Sequence, residues 1–152
     1  MRIAAVGDLH CRADTRKALA AALSGVNGAA ECLLLAGDLT DHGTAEEASW
    51  LAEELKLENA LFQLRTRARV ALLHYSPCRS TLEGEPLEIY PFLGATRLSG
   101  PLDQLRPALA IHGHAHRGNL RGATRGGVPV YNVALPVLRR LEKPVGFLTL
   151  EV

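Results

Sequence analysis

The chain has 152 residues, a length typical of one globular domain. Its 17 basic and 16 acidic side chains leave a formal net charge of +1, so no global field favours nucleic acid or an anionic membrane as a partner. The sequence has no apolar run of about 20 residues that would span a bilayer. Its three cysteines lack Cys-x-x-Cys spacing and predict no disulfide framework. The strand-like N-terminus differs from a signal peptide, so we expect a single cytoplasmic domain, 1–152.

Apolar runs alternate with helix signals along the chain, a pattern typical of an α/β fold. Short apolar runs that stop at glycine indicate buried strands of a parallel sheet. Ser24-Gly25 and Asn27-Gly28 are predicted to end the first helix after Leu23. Frequent Gly and Pro between Pro77 and Pro101 predict little regular structure beyond short turns. The predicted strands are 2–6, 32–36, 69–73, 109–111, 128–134 and 145–150, and the predicted helices are 14–23 and 44–65.

Two of the predicted strands end in Gly-Asp, at Asp8 and at Asp38. A carboxylate just past the end of each strand is expected at the carboxyl edge of the sheet, where α/β proteins bind ligands. Asp8 alone is also compatible with a turn cap, but the nearby His10 favours a metal site. The same alternative exists for Asp38, whereas Asp41 is expected to make a turn hydrogen bond.

Histidines follow two later predicted strands. His74 stands at the end of the strand at 69–73, where a metal ligand and a hydrogen-bonded core histidine are both compatible with the sequence. His114 and His116 belong to a Gly-His-Ala-His turn and are candidate metal ligands. His112 precedes this turn and is expected to support the ligands and not to bind the metal itself.

Four motifs occur in order: Gly-Asp-x-His at Asp8, Gly-Asp-x-x-Asp-x-Gly at Asp38, His-x-x-Pro at His74, and Gly-His-x-His at His114 and His116. Together they resemble the calcineurin-like metallophosphoesterases over most of the chain. The resemblance implies an α/β fold, a shortened form of that family's sandwich of two mixed β-sheets flanked by helices. It also implies hydrolysis of a small phosphomonoester or phosphodiester substrate by a metal-bound hydroxide.

The resemblance further implies one or two divalent transition-metal ions, with Mn, Fe, Zn and Ni suited to mixed carboxylate and imidazole ligands. Asp38 would bridge the two ions, which in this family lie roughly 3.5–4 Å apart. With Asp38, the first ion would be bound by Asp8, His10 and His116, and the second by His74 and His114. The full set of ligands implied by the resemblance is Asp8, His10, Asp38, His74, His114 and His116.

One motif of the family is missing from the sequence. The family has Gly-Asn-His-Asp/Glu after the helix that follows the second Gly-Asp, and 41–74 contains no such motif. In the same region the apolar face of the predicted helix changes side between Leu55 and Leu57. A helix that is kinked or buried on two sides is one explanation, but the missing motif favours an internal deletion near 56–57. The resemblance assigns the missing histidine either to protonating the leaving group or to stabilising the phosphorane. The alternative is therefore a catalytically inactive metal-binding or partner-binding module, with His42 as a weak candidate for the lost acid.

The predicted deletion also has a consequence for assembly. A lost strand would leave an open sheet edge, and open edges pair with other chains. The apolar stripe of Leu57, Leu61 and Leu64 would have no partner inside a shortened domain, and exposed apolar patches usually mark interfaces. We therefore expect a homodimer in which the 44–65 helix packs or exchanges across a two-fold axis.

Overall fold

The computed structural model describes residues 1–8, 18, 21–24, 26–30, 32–36 and 68–152. Most of the predicted first helix lies outside these residues, as do the helix at 44–65, its change of apolar face and the deletion near 56–57. The homodimer inferred from that helix therefore stays a prediction. Within the described residues, the strands form two sheets.

The first sheet has the strand order β2-β1-β7, with β1 at Arg2–Gly7, β2 at Cys32–Ala36 and β7 at Leu148–Glu151. β1 lies in the centre, parallel to β2 and antiparallel to β7. The side chains at 3–6 are all buried, as expected for a central strand that is apolar on both faces. The structure confirms both strands predicted in this region, and β1 extends one residue further, to Gly7.

The second sheet has the strand order β3-β4-β6-β5. β3 is Val70–Leu72, β4 is Leu109–His112, β5 is Arg121–Ala123 and β6 is Pro129–Asn132. β3, β4 and β6 run parallel, and β5 pairs antiparallel with β6. β5 was not predicted, because its sequence Arg-Gly-Ala contains no apolar run.

The two sheets meet near the ends of β1 and β6. The Gly7 N–H donates to the Val133 carbonyl at 2.7 Å, and the Val133 N–H donates to the His112 carbonyl at 2.8 Å. A Cβ on Gly7 would lie 2.9 Å from the Ala36 carbonyl oxygen and 3.2 Å from Gly113 Cα, so this approach requires glycine. Both sheets contribute to one buried apolar cluster: Ala5, Ala36, Leu109, Ile111, Val133 and Leu150. The carboxyl ends of β1, β4 and β6 therefore lie together.

Short helices connect the strands. They are α1 at Val26–Ala29, α2 at Tyr90–Leu93, α3 at Ser99–Leu105 and α4 at Leu135–Arg139. Ser24 lies in a turn, as predicted, but the prediction of a turn at 27–28 was wrong, because α1 occupies these positions. The segment 77–101 contains short helical turns, as predicted, but it ends in the longer α3.

α4 was also missed from the sequence, which predicted a strand over 128–134 and no helix after it. Proline in the first turn starts both α2 and α4, a position where its missing N–H costs nothing. Two mixed sheets with flanking helices confirm the predicted α/β architecture. In the part of the chain that the structure describes, no helix is long and apolar enough to cross a membrane.

Candidate metal centre

Polar side chains follow three strands at one edge of the two sheets. Asp8 comes directly after β1, His74 follows two residues after β3, and His114 and His116 follow β4. α/β proteins bind ligands at the carboxyl ends of their parallel strands. The other predicted site residues lie outside the described residues: His10, Asp38 and His42.

Asp8 is held in a buried position by backbone groups. Its own N–H donates to the Ala36 carbonyl at 2.9 Å, and its carboxylate accepts a hydrogen bond from the His114 N–H. The Asp8 side chain is 0% exposed. A carboxylate is costly to bury unless hydrogen bonds, positive charge or a metal compensate it. This burial favours a ligand-binding carboxylate over a solvent-exposed turn cap.

Gly113 makes room for the Asp8 carboxylate. A Cβ at Gly113 would lie 2.7 Å from each carboxylate oxygen of Asp8, closer than carbon and oxygen approach without a bond. Because position 113 has no side chain, the backbone comes close enough for the next N–H, that of His114, to reach the carboxylate. The glycines of the Gly-Asp and Gly-His motifs therefore both allow the two chain segments to approach closely where they cross.

The backbone at this crossing is strained. Asp8 has φ 53° and His114 has φ 67°, both in the left-handed region. Among the described residues, Arg106 is the only other non-glycine residue with positive φ. Asp and His tolerate this conformation better than most residues, yet such outliers cost of order 1–3 kcal/mol and cluster at functional sites. Here the two strained residues are hydrogen-bonded to each other.

The predicted ligands approach each other in pairs. His116 Nε2 lies 3.6 Å from Asp8 Oδ2, which is long for a hydrogen bond. Two ligands with metal bonds of about 2.0–2.2 Å lie about 3.0–3.4 Å apart on one ion, close to this separation. The ring centroids of His74 and His114 are 4.4 Å apart. The Tyr75 ring stands edge-on to both of these histidines, at 4.5 Å and 5.3 Å, and limits their rotation.

Within the described residues, no three His, Cys, Asp or Glu side chains are arranged to hold a metal ion by themselves. The described part of the chain contains Asp8, His74, His114 and His116, and two further predicted ligands lie outside it. Carboxylate oxygen and imidazole nitrogen are donors that Mn, Fe, Zn and Ni accept. The residues present therefore fit a divalent transition metal in the type of their donors and in their pairing.

His112 is a buried residue beside the Gly-His-Ala-His turn. Its Nδ1 lies 2.7 Å from the Gly113 carbonyl oxygen and its Nε2 lies 2.8 Å from Thr81 Oγ1. Because a carbonyl only accepts, we assign the proton to Nδ1, so that the Thr81 hydroxyl donates to Nε2. Ser76 Oγ lies 2.7 Å from Thr81 Oγ1. The sequence predicted a supporting role for His112 but gave no signal for Thr81, which lies in a segment with no predicted element.

Burial lowers the pKa of His112 from 6.5 to about 4. The nearby His114 and His74 lower this pKa as well, and the hydrogen bond to the Gly113 carbonyl partly opposes them. The imidazole is therefore neutral near pH 7. Neutrality is what the network requires, since Nε2 has to accept the hydroxyl hydrogen of Thr81.

We expect the folded protein to lose stability as the pH falls from 6.5 to 4. In this window the unfolded chain binds a proton at His112 and the folded chain does not, so the free energy of unfolding falls by up to about 3 kcal/mol. Above pH 6.5 this contribution is constant. His112→Asn removes the titrating group, so the difference in stability between wild type and variant should shrink over the same window. Denaturant unfolding at several pH values measures it, and parallel pH profiles would contradict the assignment.

Asn132 and Arg140 fix the far side of the same turn. Asn132 Nδ2 donates to the Ala115 carbonyl at 2.7 Å, and Asn132 Oδ1 accepts from the Ala134 N–H at 3.2 Å. An Arg140 guanidinium N–H donates to the His116 carbonyl. The sequence signal for Asn132 was a polar residue inside an apolar strand, which is informative when it is buried. The histidine turn is thus held by side chains from β6 and from the end of α4.

The fold and this edge define an α/β protein with a candidate metal centre. Comparison with family models then gives a match to calcineurin-like phosphoesterase over residues 1–74. The match over residues 1–74 is consistent with the resemblance seen in the motifs. The match includes both Gly-Asp motifs and ends at His74, so the Gly-His-Ala-His turn lies beyond it. No curated protein and no solved structure matches the chain.

Proposed function

We propose that this chain is a metal-dependent phosphoesterase that hydrolyses a small phosphomonoester or phosphodiester. The observation that carries the proposal is the pairing of Asp8 with His116 and of His74 with His114 at one sheet edge. The family match supports a function of the phosphoesterase type. One or two divalent ions, Mn, Fe, Zn or Ni, when bound, would polarise the phosphoryl group and lower the pKa of the attacking water.

The residues of the chain itself fix where the donors stand. The His114 N–H fixes the Asp8 carboxylate, and His112 and Asn132 hold the histidine turn from two sides. Groups held in place before substrate arrives lower the barrier most, because they need no reorganisation during the reaction. The His116 side chain is 41% exposed, so substrate has access to the site from this side.

We infer that turnover is slow compared with a family member that has every motif. The missing Gly-Asn-His-Asp/Glu removes the general acid that the resemblance implies, and loss of such a group costs about 10²–10⁴-fold. His42, the weak candidate for replacing it, lies outside the described residues. His42→Ala should lower the rate further only if His42 has this role.

The decisive experiment measures hydrolysis of p-nitrophenyl phosphate and bis(p-nitrophenyl) phosphate before and after metal removal and add-back. We expect slow hydrolysis that disappears with chelator and returns with Mn or Zn. His116→Gln should lower kcat/KM by at least about 10–100-fold, the cost of disturbing even the partners of metal ligands. Glu151→Gln is the matched control. Glu151 lies opposite Arg2 in the register of β1 and β7, at the end of β1 that is far from Asp8.

The outcomes separate the enzyme from its alternative. Metal retention without hydrolysis would favour a catalytically inactive metal-binding module. Brisk hydrolysis that is indifferent to chelator and to His116→Gln would refute the proposed centre. A wild-type protein that neither binds metal after reconstitution nor hydrolyses either substrate would refute the proposed function as a whole.

A further inference from the structure

Two neighbouring pockets involve the 76–101 segment. The first lies within this segment and has a volume of about 360 Å³ and mostly apolar walls, including Leu82, Leu87, Tyr90, Pro91 and Ala95. The second lies between this segment and the turn that follows β5, and it has a volume of about 760 Å³ and mostly polar lining residues, including Arg79, Ser80, Ser99, Thr124 and Arg125. Cys78, Arg79 and Thr96 line both. We call the two together the double pocket, with an apolar half and a polar half.

Two guanidinium groups give the polar half a positive charge. Glu83 is the only acid among the residues that line it, and Glu83 accepts a hydrogen bond from Asn119 Nδ2 at 3.2 Å. Within the described part of the chain, neither Arg79 nor Arg125 forms an ion pair with a carboxylate. The Arg79 guanidinium carbon lies 5.9 Å from the centroid of the Tyr90 ring, at the boundary between the two halves.

Two hydroxyl groups of the polar half already have acceptors. Ser99 Oγ donates to the Thr96 carbonyl at 2.7 Å, and Thr124 Oγ1 donates to the Asp103 carboxylate. The charged donors that a ligand would meet are the N–H groups of Arg79 and Arg125. Guanidinium groups recognise phosphate and carboxylate through two parallel hydrogen bonds. The polar half is thus suited to an anion.

The apolar half adds a surface for a ring or chain. Leu87 is 63% exposed, so a large apolar side chain is accessible in the half that Arg79 also lines. Ligand sites of about 300–1,000 Å³ typically combine apolar walls with a few well-placed polar groups. Both pocket volumes fall in this range.

We propose that the double pocket binds an organic anion, a molecule that joins an anionic group to an apolar ring or chain. Arg79 and Arg125 contact the anionic group, and Leu87 and Tyr90 contact the apolar part. Asp8, His74, His114 and His116 do not line the double pocket. The proposal therefore concerns a second site and does not rest on hydrolysis.

The test uses phenylphosphonate, whose carbon–phosphorus bond a phosphoesterase does not cleave, with inorganic phosphate and benzyl alcohol for comparison. We expect the full-length protein to bind phenylphosphonate more tightly than either comparison compound in an NMR titration. Cys78 lines both halves, whereas Cys32 lies in β2. Bound phenylphosphonate should therefore slow alkylation of Cys78 and leave the alkylation rate of Cys32 unchanged.

Variants separate the two halves. Arg79→Gln and Arg125→Gln should each weaken phenylphosphonate binding about tenfold, the value of a charge-assisted hydrogen bond. Arg97→Gln is their control, since Arg97 is exposed and lines neither half. Leu87→Ser should weaken phenylphosphonate severalfold and leave inorganic phosphate unaffected. Phe92→Ser is its control, since Phe92 is 59% exposed and lines neither half.

Three results would overturn the proposal. Phenylphosphonate that binds no more tightly than inorganic phosphate would remove the apolar half from recognition. An equal loss of affinity in Arg97→Gln would reduce the effect to general charge attraction. If phenylphosphonate no longer slowed the alkylation of Cys78 in Asp8→Asn, it would bind at the candidate metal centre and not in the double pocket.

Discussion

Asp8→Asn is expected to abolish stabilisation of the protein by added Mn²⁺. A ligand that binds only the folded state at 100 times its dissociation constant stabilises the wild type by about 3 kcal/mol. The variant keeps the shape of the side chain but loses the charge that a divalent ion requires. Thermal unfolding with and without Mn²⁺ measures the difference, with Glu151→Gln as the exposed carboxylate-to-amide control.

The sign of the effect without metal provides a second test of the same residue. The wild-type carboxylate is 0% exposed, and burying its charge without a metal carries a desolvation cost that a neutral amide does not carry. In Asp8→Asn the amide oxygen still accepts from the His114 N–H, so the metal-free variant should unfold at the same temperature as the metal-free wild type or higher. A variant that retains its response to Mn²⁺ would show that Asp8 is not a metal ligand.

The sheets could be predicted where the signal is local. β1 and β2 are apolar runs that stop at glycine, and a buried parallel strand has just this sequence pattern. β5 and α4 had no such signal, because β5 is three residues long and is defined by its pairing with β6. Elements this short depend on tertiary contacts that a local pattern does not contain.

In the candidate site, too, only the residues with a local sequence signal could be predicted. Its predicted ligands belong to short motifs, so their residue types and spacing were visible in the sequence. Thr81 is 31 residues from His112 in sequence, yet its hydroxyl reaches the imidazole at 2.8 Å. Nothing local distinguishes this threonine from a surface threonine, since its role comes only from the packing of the 77–101 segment against β4. Supporting residues of this kind can therefore be identified only from the folded structure.

Gly113→Ala is expected to impair metal binding without removing any ligand. The new Cβ would lie 2.7 Å from both Asp8 carboxylate oxygens, so either the carboxylate or the histidine turn has to move. Overpacking of this kind costs about 1–3 kcal/mol, and a displaced ligand should lower metal affinity by at least about 10–100-fold. Gly100→Ala is the matched control, because nothing lies within 4 Å of its Cβ and helical Gly→Ala changes are favourable. Metal titration and denaturant unfolding report the two effects separately.

A double-mutant cycle identifies the clash as the cause. The three atoms nearest to the new Cβ are Asp8 Oδ1, Oδ2 and Cγ, and Asp8→Ala removes all of them. If the clash is the cause, Gly113→Ala should cost no more than a few tenths of a kcal/mol in the Asp8→Ala background, a coupling beyond the additivity expected of independent sites. The free energies of unfolding of the wild type, both single variants and the double variant, all without metal, measure this coupling. Additive costs would mean that Gly113 is required for its own backbone conformation and not for the room it gives the Asp8 carboxylate.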